Sequence, residues 1–584
     1  MKQRKKILSA LLVATMTGTL LAGCGQGDDG KQSAVPSAAD EETSSAAEET
    51  AQSTAEDEEE SSAAAEDGSG EGATQRISDE VITLTVAGVD NVASPDWNNT
   101  IQFAEYEKRL GLKFDATVYN TEQWSSKLTL MLASDEMPDI LAMDWAPMSR
   151  SDLIKYAEDG YFLDFSQYLD IMPTLKMYME KYPEYAQAIT ADDGKIYGFA
   201  GLVDRPNCAR YAFVYMPQKW LDNVKLDRPE SLDDLYAVLK AFKEQDANGN
   251  GDPSDEIPMG MSDGGSAELP ILWAYGINGL NSTYLLREDN GSVGLWDTSE
   301  NYKAFLHYMN RLYEEGLMNQ DAFVIEGSEL EALNKEGKVG FSGGWTTRCA
   351  DQYADNEPGW YIPVGFTSEY NSDKSVVLYS AVDPTFYFVA NADTEYPEEI
   401  AKFVDYQFTT EGAISGGNGY EGLTFDMKEI KGVRTIDHTG YWEGQYESQE
   451  DYRTRIATNH SGFSILSTGK GTIYDLLTSV SDEDLFDEEV WALTNSSALR
   501  EEAMRTEGLK VMDAFPNLYY TDEEANERAT LYTDIKNYLK TAKAQFITGE
   551  MDIDASWDAH LEKLNQLGLE RLLEIEQAAY DRLK

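Results

Sequence analysis

From residue 81 to residue 143 the chain alternates two hydrophobic rhythms, and this limits the folds open to it. Val81-Ile82-Thr83-Leu84-Thr85-Val86-Ala87 is a β-branched run of strand type. A polar loop follows, then the helical period of Ile101 to Leu110, which Gly111 stops. Leu112 to Val118 predicts a second strand, Lys127 to Ala133 a second helix, and Met137-Pro138-Asp139-Ile140-Leu141-Ala142-Met143 a third strand. The βαβαβ order predicts an α/β fold around a mostly parallel sheet with helices on its faces. Ligands in such folds sit beyond the carboxyl ends of the strands. The loops there, 90–99 and 144–147, set Trp97 beside Asp96 and Asn98, and Trp145 beside Asp144.

Length and charge narrow the function. A chain of 584 residues exceeds one ordinary compact domain, so two lobes or two domains are expected. The 105 acidic side chains against 47 basic ones give a formal charge of −58, which repels phosphate backbones and anionic lipid. Nucleic acid is excluded as a partner, and membrane attachment must be covalent or spanning. Beyond residue 76 no apolar run approaches the length of a spanning helix, so the body reads as soluble. Four histidines without an HExxH pair disfavour a zinc hydrolase. Three cysteines without CxxC spacing build no disulfide framework. Cys208 and Cys349 pair only if the fold joins them, and free buried thiols are the simpler reading.

The start of the chain is processing sequence. Lys2, Arg4, Lys5 and Lys6 form a basic end, and Ile7 to Leu21 is an interrupted apolar run too short to span a membrane. It closes on Leu21-Ala22-Gly23-Cys24, which resembles the lipobox of bacterial lipoproteins, in which the cysteine is lipidated and becomes residue one. That assigns 1–23 to a leader; the alternative is a plain secretory signal. Residues 24–78 form an acidic linker without apolar periodicity, expected to stay disordered. Its length reaches on the order of 40 Å as a coil. Taking the leader's +4 and the −14 of residues 25–75 from −58 leaves −48 on the folded body.

The remaining motifs resemble, in order, those of the bacterial extracellular solute-binding proteins, specifically the large lipoproteins serving oligosaccharide ABC transporters. Met137-Pro138-Asp139-Ile140 resembles the family's "PDI" strand end, and Asp193-Gly194-Lys195-Ile196-Tyr197-Gly198 its "DGKIYG" segment before the crossover between lobes. Gly337 to Phe341 with Gly344-Trp345, then Gly419-Tyr420-Glu421-Gly422, Phe546-Ile547-Thr548-Gly549, Trp557 and Ala579 to Arg582 continue the series to the end. The resemblance implies a two-lobed periplasmic-binding-protein-like (type II) fold with a hinge. One lobe would comprise 79–203 and 380–465, and the other 204–379 and 466–584. It further implies an oligosaccharide ligand, ABC permease partners, anchorage through Cys24 on the outer face of a Gram-positive type cytoplasmic membrane, a monomeric state and no catalysis.

The sharpest local motif is Asp246-Ala247-Asn248-Gly249-Asn250-Gly251-Asp252-Pro253-Ser254-Asp255-Glu256. Oxygen donors at positions 1, 3 and 5 with a glycine at 6 suit a hard cation, although position 12 is Ile257. The alternative is a metal-free Asn/Gly turn. Relatives of the resembled group carry a similar loop with a paired acidic end that holds calcium. The resemblance therefore implies a structural calcium ion held by Asp246, Asn248, Asn250, Asp255 and Glu256, with Asp252 contributing its carbonyl.

A sugar offers C–H groups on one face and hydroxyls at its rim, so an aromatic plate beside polar side chains suits it. Trp97 with Asn98, Asp144 with Trp145, and Trp345 with Arg348 fit, as do Trp273 with Tyr275, and Asp383 near the return crossover. A core position is the commoner fate of any one tryptophan. Gly469-Lys470-Gly471-Thr472 lacks P-loop spacing and reads as a turn; His307 reads as a packing or surface residue. Thr521-Asp522-Glu523-Glu524 is a capping box, and Leu561, Leu564 and Leu567 form a packing stripe. Three rivals remain: a glycoside hydrolase, whose carboxylate pair no acid-rich sequence singles out, a binder of a non-sugar solute such as a peptide, and a sensory or adhesive lipoprotein.

Overall fold

A computed structural model describes residues 76–583, apart from 91–95, 135, 144–145, 205–213, 263–264, 280–284, 288–290, 344–359, 362–364, 378–380, 443–444, 447–451, 453–454, 458–462, 469, 495–497, 499–500, 502–504, 506–507 and 513–514. The chain divides into two units, Met1–Glu71 and Gly72–Lys584, and the described residues lie in the second. Cys24 lies outside them.

Six strands form the first sheet, in the order Leu466–Thr468, Gly198–Asp204, Val382–Ala390, Ile140–Ala142, Ile82–Asp90, Leu112–Asn120. All are parallel except Val382–Ala390, which runs against both its neighbours. The expected βαβαβ order is present, with strand Ile82–Asp90 in register so that Val86 faces Ala116 on one side and Ile140 on the other. Local chemistry sets the helix between the first two strands, Ile101–Leu110. The Thr100 side chain accepts the Phe103 N–H at its start, and Gly111, at φ 76°, closes it in the left-handed conformation. The second helix, Thr121–Ser134, is longer than its apolar stripe suggests.

A second sheet orders Trp360–Tyr361, Val214–Pro217, Val339–Gly343 and Ile257–Met259. Two separate cores follow from the two sheets. One gathers Leu84, Phe199, Phe388 and Leu466. The other gathers Met216, Phe242, Phe341 and Val376 with Phe546 and Trp557 from the C-terminal helices. Helix Asp522–Thr548 opens on the expected capping box, Thr521 with Glu524, and Ile553–Gln566 opens on Asp552, whose carboxylate accepts the Ala555 N–H at 2.7 Å. The fold is thus the two-lobed α/β arrangement with a hinge.

The three strands at the crossovers expected from the sequence lie side by side. Leu202, near the end of Gly198–Asp204, is in register with Val382 on one flank and Leu466 on the other. Asp204 ends the outgoing strand and is 8% exposed. It accepts from Lys181 Nζ at 2.7 Å, Tyr182 Oη at 2.5 Å and Tyr178 Oη at 3.0 Å. Burial pushes its carboxyl up, but the Lys181 ammonium and the two phenols outweigh burial and hold it below the ordinary carboxylate range. The outgoing strand is therefore tied to helix Pro173–Lys181 of the first lobe at its last residue.

Candidate functional site

The carboxyl ends of the first sheet's parallel strands carry Asp90, Asn120, Ala142, Asp204 and Thr468, so this edge is where the fold places a ligand. Trp97 sits at the edge, but inward. Its indole N–H donates to the buried Asp90 carboxylate at 2.7 Å, and its ring meets Phe463 edge-on at 6.1 Å. Gly88 makes this possible, because a Cβ there would lie 2.1 Å from the indole. The side chain is 0% exposed, so it packs the lobe and offers no face to a sugar.

Asn98 also serves the scaffold. Its amide donates to the Ala116 carbonyl at 2.9 Å and accepts the Ala116 N–H at 2.8 Å, which pairs the outer edge of strand Leu112–Asn120 as a neighbouring strand would. Trp273 is enclosed in the second lobe, donating to the Gly279 carbonyl at 3.0 Å from the fully buried helix Leu269–Ala274. Tyr275 beside it is buried as well. For Trp97 and Trp273 burial thus replaces an expected sugar contact with a packing role, whereas Asn98 is exposed and braces the sheet edge. The polar partners lie six, seven and 18 residues away in sequence, and the burial that decides the two tryptophans comes from packing that local sequence does not reveal.

Asp383 lies in the returning strand Val382–Ala390, with its side chain outside the described residues. Asp144, Trp145, Trp345 and Arg348 lie outside the described residues, as do Cys208 and Cys349. His307 is on the surface, 3.4 Å from Asp554. Thr472 caps helix Ile473–Ser479 after Gly471 at φ 68°, a turn as the sequence predicts.

The Asp246–Glu256 loop folds on itself. Gly249 and Gly251, at φ 74° and 94°, take left-handed conformations that let it wrap. The side-chain oxygens of Asn248 and Asn250 accept the N–H groups of Asn250 and Asp252 at 2.9 and 2.7 Å, and their amides donate to Asp255 at 3.1 and 3.0 Å. Asp246 accepts the Gly251 N–H at 2.9 Å through one oxygen. Its other oxygen, and one oxygen of Glu256, are buried without a hydrogen-bond partner. Burial, assisted by the charge of Asp255, raises the Glu256 carboxyl. The loop thus ends with two uncompensated carboxylate oxygens among amide and carbonyl oxygens, the donor set a hard cation takes. Among the described residues no three His, Cys, Asp or Glu side chains converge at metal-ligand distance.

Sequence reasoning missed a group at the same edge of the first lobe. Tyr441, Trp442 and Tyr446 pack half-buried against Tyr452, Ile456 and Ala457, a small core that Ile101 also meets. The signal was present as aromatic density after a hairpin.

Comparison with known proteins agrees with this architecture. The family described as "Bacterial extracellular solute-binding protein" matches residues 97–414. A relative is the fructooligosaccharide ABC transporter substrate-binding protein FusA of Streptococcus pneumoniae serotype 4 (strain ATCC BAA-334 / TIGR4), 25% identical over 526 residues, covering 88% of this chain and 92% of FusA. Another is lipoprotein LipO of Bacillus subtilis (strain 168), 24% identical over 458 residues, covering 76% of this chain and 82% of LipO. Solved S. pneumoniae FusA structures superpose at a TM-score of 0.69. The complex with kestose is 24% identical, and an EF-hand mutant with fructo-nystose is 23% identical; each covers 86% of this chain and 99% of FusA. With its fold and more than half its length matched, the chain belongs to the bacterial extracellular solute-binding protein family.

Proposed function

We propose that this protein captures an oligosaccharide between its two lobes and delivers it to the permease subunits of an ABC importer. The observation that carries this reading is the fold shared with FusA, whose solved structure holds kestose, in a chain whose two sheets each carry a core of their own. A ligand that touches both lobes binds the closed arrangement more tightly than the open one, so binding shifts the population toward closure. The lobes comprise 79–203 with 380–465, and 204–379 with 466–584; the two main cores support this partition in outline, although Leu466 packs in the first core and Ile430 shares a small core with Leu476 and Val490. Asp144, Trp145, Trp345, Arg348 and Asp383 supply sugar contacts, by virtue of their places at the strand ends and crossovers.

Cys24 carries the lipid, as LipO's designation as a lipoprotein supports. The acidic tract 24–78 spaces the binder from the outer face of the cytoplasmic membrane. The protein acts as a monomer and catalyses no reaction. Calcium occupies the Asp246–Glu256 loop as a structural ion, a reading supported by the two unpartnered oxygens there and by the EF-hand of FusA.

Titration calorimetry against three size ladders tests the function: kestose with longer fructans, oligogalacturonates, and mannose-rich glycans. Binding to one ladder without turnover of the sugar is expected. Absence of binding to all three, or cleavage of the glycan, would overturn the reading. Substituting Cys24→Ala is expected to move the protein from the membrane to the medium; retention at the membrane would refute the anchor.

A further inference from the structure

We infer that Tyr441, Trp442 and Tyr446 form an additional carbohydrate subsite at the rim of the first lobe, contacting units of a longer oligosaccharide beyond those enclosed between the lobes. This rests on the proposed function. Three observations carry it.

The first is position. The three rings and Ile101, the first residue of helix Ile101–Leu110, pack against the same small core of Tyr452, Ile456 and Ala457. Ile101 lies at the carboxyl edge of the sheet, because Trp97 just before it is bonded to Asp90 at the end of strand Ile82–Asp90. The group therefore adjoins the edge where the fold places its ligand.

The second is pre-organisation. The hairpin of Asp426–Ile430 and Val433–Asp437 turns at Lys431 and Gly432, both at positive φ. Its last residue, Asp437, pairs with Lys428 and accepts the Thr439 N–H at 2.9 Å, opening the short helix Thr439–Trp442. Tyr441 Oη donates to Asp426 at 2.9 Å. Beneath the outer rings, Tyr452 lies 5.0 Å from Tyr446 and donates to the Thr424 carbonyl at 2.7 Å.

The third is the division of exposure. Tyr452, Ile456 and Ala457 are closed off, whereas Tyr441, Trp442 and Tyr446 keep part of their surface in water. Three aromatic side chains on one small core, with the carboxylate of Asp426 bonded to Tyr441, offer what a sugar ring requires: a plate for its C–H face and a polar group for its hydroxyls.

The test is calorimetry on the full chain, comparing wild type, Trp442→Ala, Trp442→Phe and Tyr446→Ala on the ladder that binds. The expected result is an unchanged Kd for the shortest oligomer that binds. For the longest, Trp442→Ala should weaken binding by roughly three- to tenfold, with partial recovery in Trp442→Phe. Tyr446→Ala should act in the same direction, and it keeps the test available should Trp442→Ala not fold. Equal weakening at every length, or a longest-oligomer Kd unchanged in every folded variant, would overturn the subsite while leaving the transport reading in place. Failure of the wild type on every ladder would overturn both.

Discussion

Replacing Asp297 by asparagine should stabilise this protein at neutral and alkaline pH. Asp297 follows Trp296 in a short 3-10 turn of the second lobe and is 3% exposed. The groups that act on it most are the Tyr302 hydroxyl, the Lys543 ammonium and the Glu268 carboxylate, with the Tyr532 phenol also near. Lys543 is bonded to Glu268 at 2.5 Å, so its charge is already engaged. His560, whose ring approaches the Asp297 carbonyl at 3.4 Å, has its protonation disfavoured by burial and adds no compensating charge. One Asp297 oxygen has no hydrogen-bond partner. Burial therefore raises the carboxyl from the ordinary 3.8 to about 7.

The sign and size follow by linkage. The folded state holds the proton more tightly than the unfolded chain does. The resulting stability is complete below about pH 4 and is lost as pH rises through the folded value near 7. A rise from 3.8 to about 7, at about 1.4 kcal/mol per tenfold change in proton affinity, corresponds to roughly 4 kcal/mol between pH 4 and pH 8. Asparagine keeps the shape and an acceptor for Tyr302 but cannot ionise. Urea unfolding followed by circular dichroism at fixed calcium, at pH 4.5 and 8, is the assay. The variant should match wild type within about 1 kcal/mol at pH 4.5 and exceed it by roughly 2–4 kcal/mol at pH 8. A variant less stable than wild type at pH 8, or a difference that does not change with pH, would refute the reasoning.

Three other outcomes are expected. Gly88→Ala drives a methyl into the Trp97 ring, 2.1 Å away, and should lower first-lobe stability by about 1–3 kcal/mol, measured by urea midpoint; an unchanged midpoint would mean that the indole is not held there. Lys181→Met removes the cationic partner of Asp204 and should cost about 1–2 kcal/mol at pH 7, with the gap to wild type closing as pH falls through the depressed Asp204 value. A gap that persists in acid would assign the loss to packing. A calcium chelator should lower the melting temperature of wild type and leave that of Asp246→Ala untouched; no shift in wild type removes calcium from the account.

Much of the scaffold was legible because its signals are local. Thr100 and Gly111 bound a helix whatever surrounds it, and Thr521 with Glu524 closes a capping box within four residues. The aromatic candidates behaved differently. A tryptophan flanked by Asp and Asn satisfies a sugar and a core equally well. What settles Trp97 is the missing side chain of Gly88 and the carboxylate of Asp90, both brought to it by a strand and a turn. Asn98 reads as a hydroxyl partner in sequence, and the structure adds that its amide also completes a sheet edge 18 residues away. The group around Trp442 went unread, since the core it shares with Ile101 joins residues more than 300 positions apart in sequence.

The sequence by itself determined the alternation of strand and helix, the acidity of body and tract, the Cys24 motif, and the wrapped Asp246–Glu256 loop. Each depends on residues within a few positions of one another or on composition alone. Tertiary structure alone decided which aromatics are core and which keep a wet face, why the Asp297 carboxyl is raised, and that three strands meet at Leu202. Burial and partner choice are properties of surfaces brought together across the chain, and desolvation acts on a group only once those surfaces have closed around it.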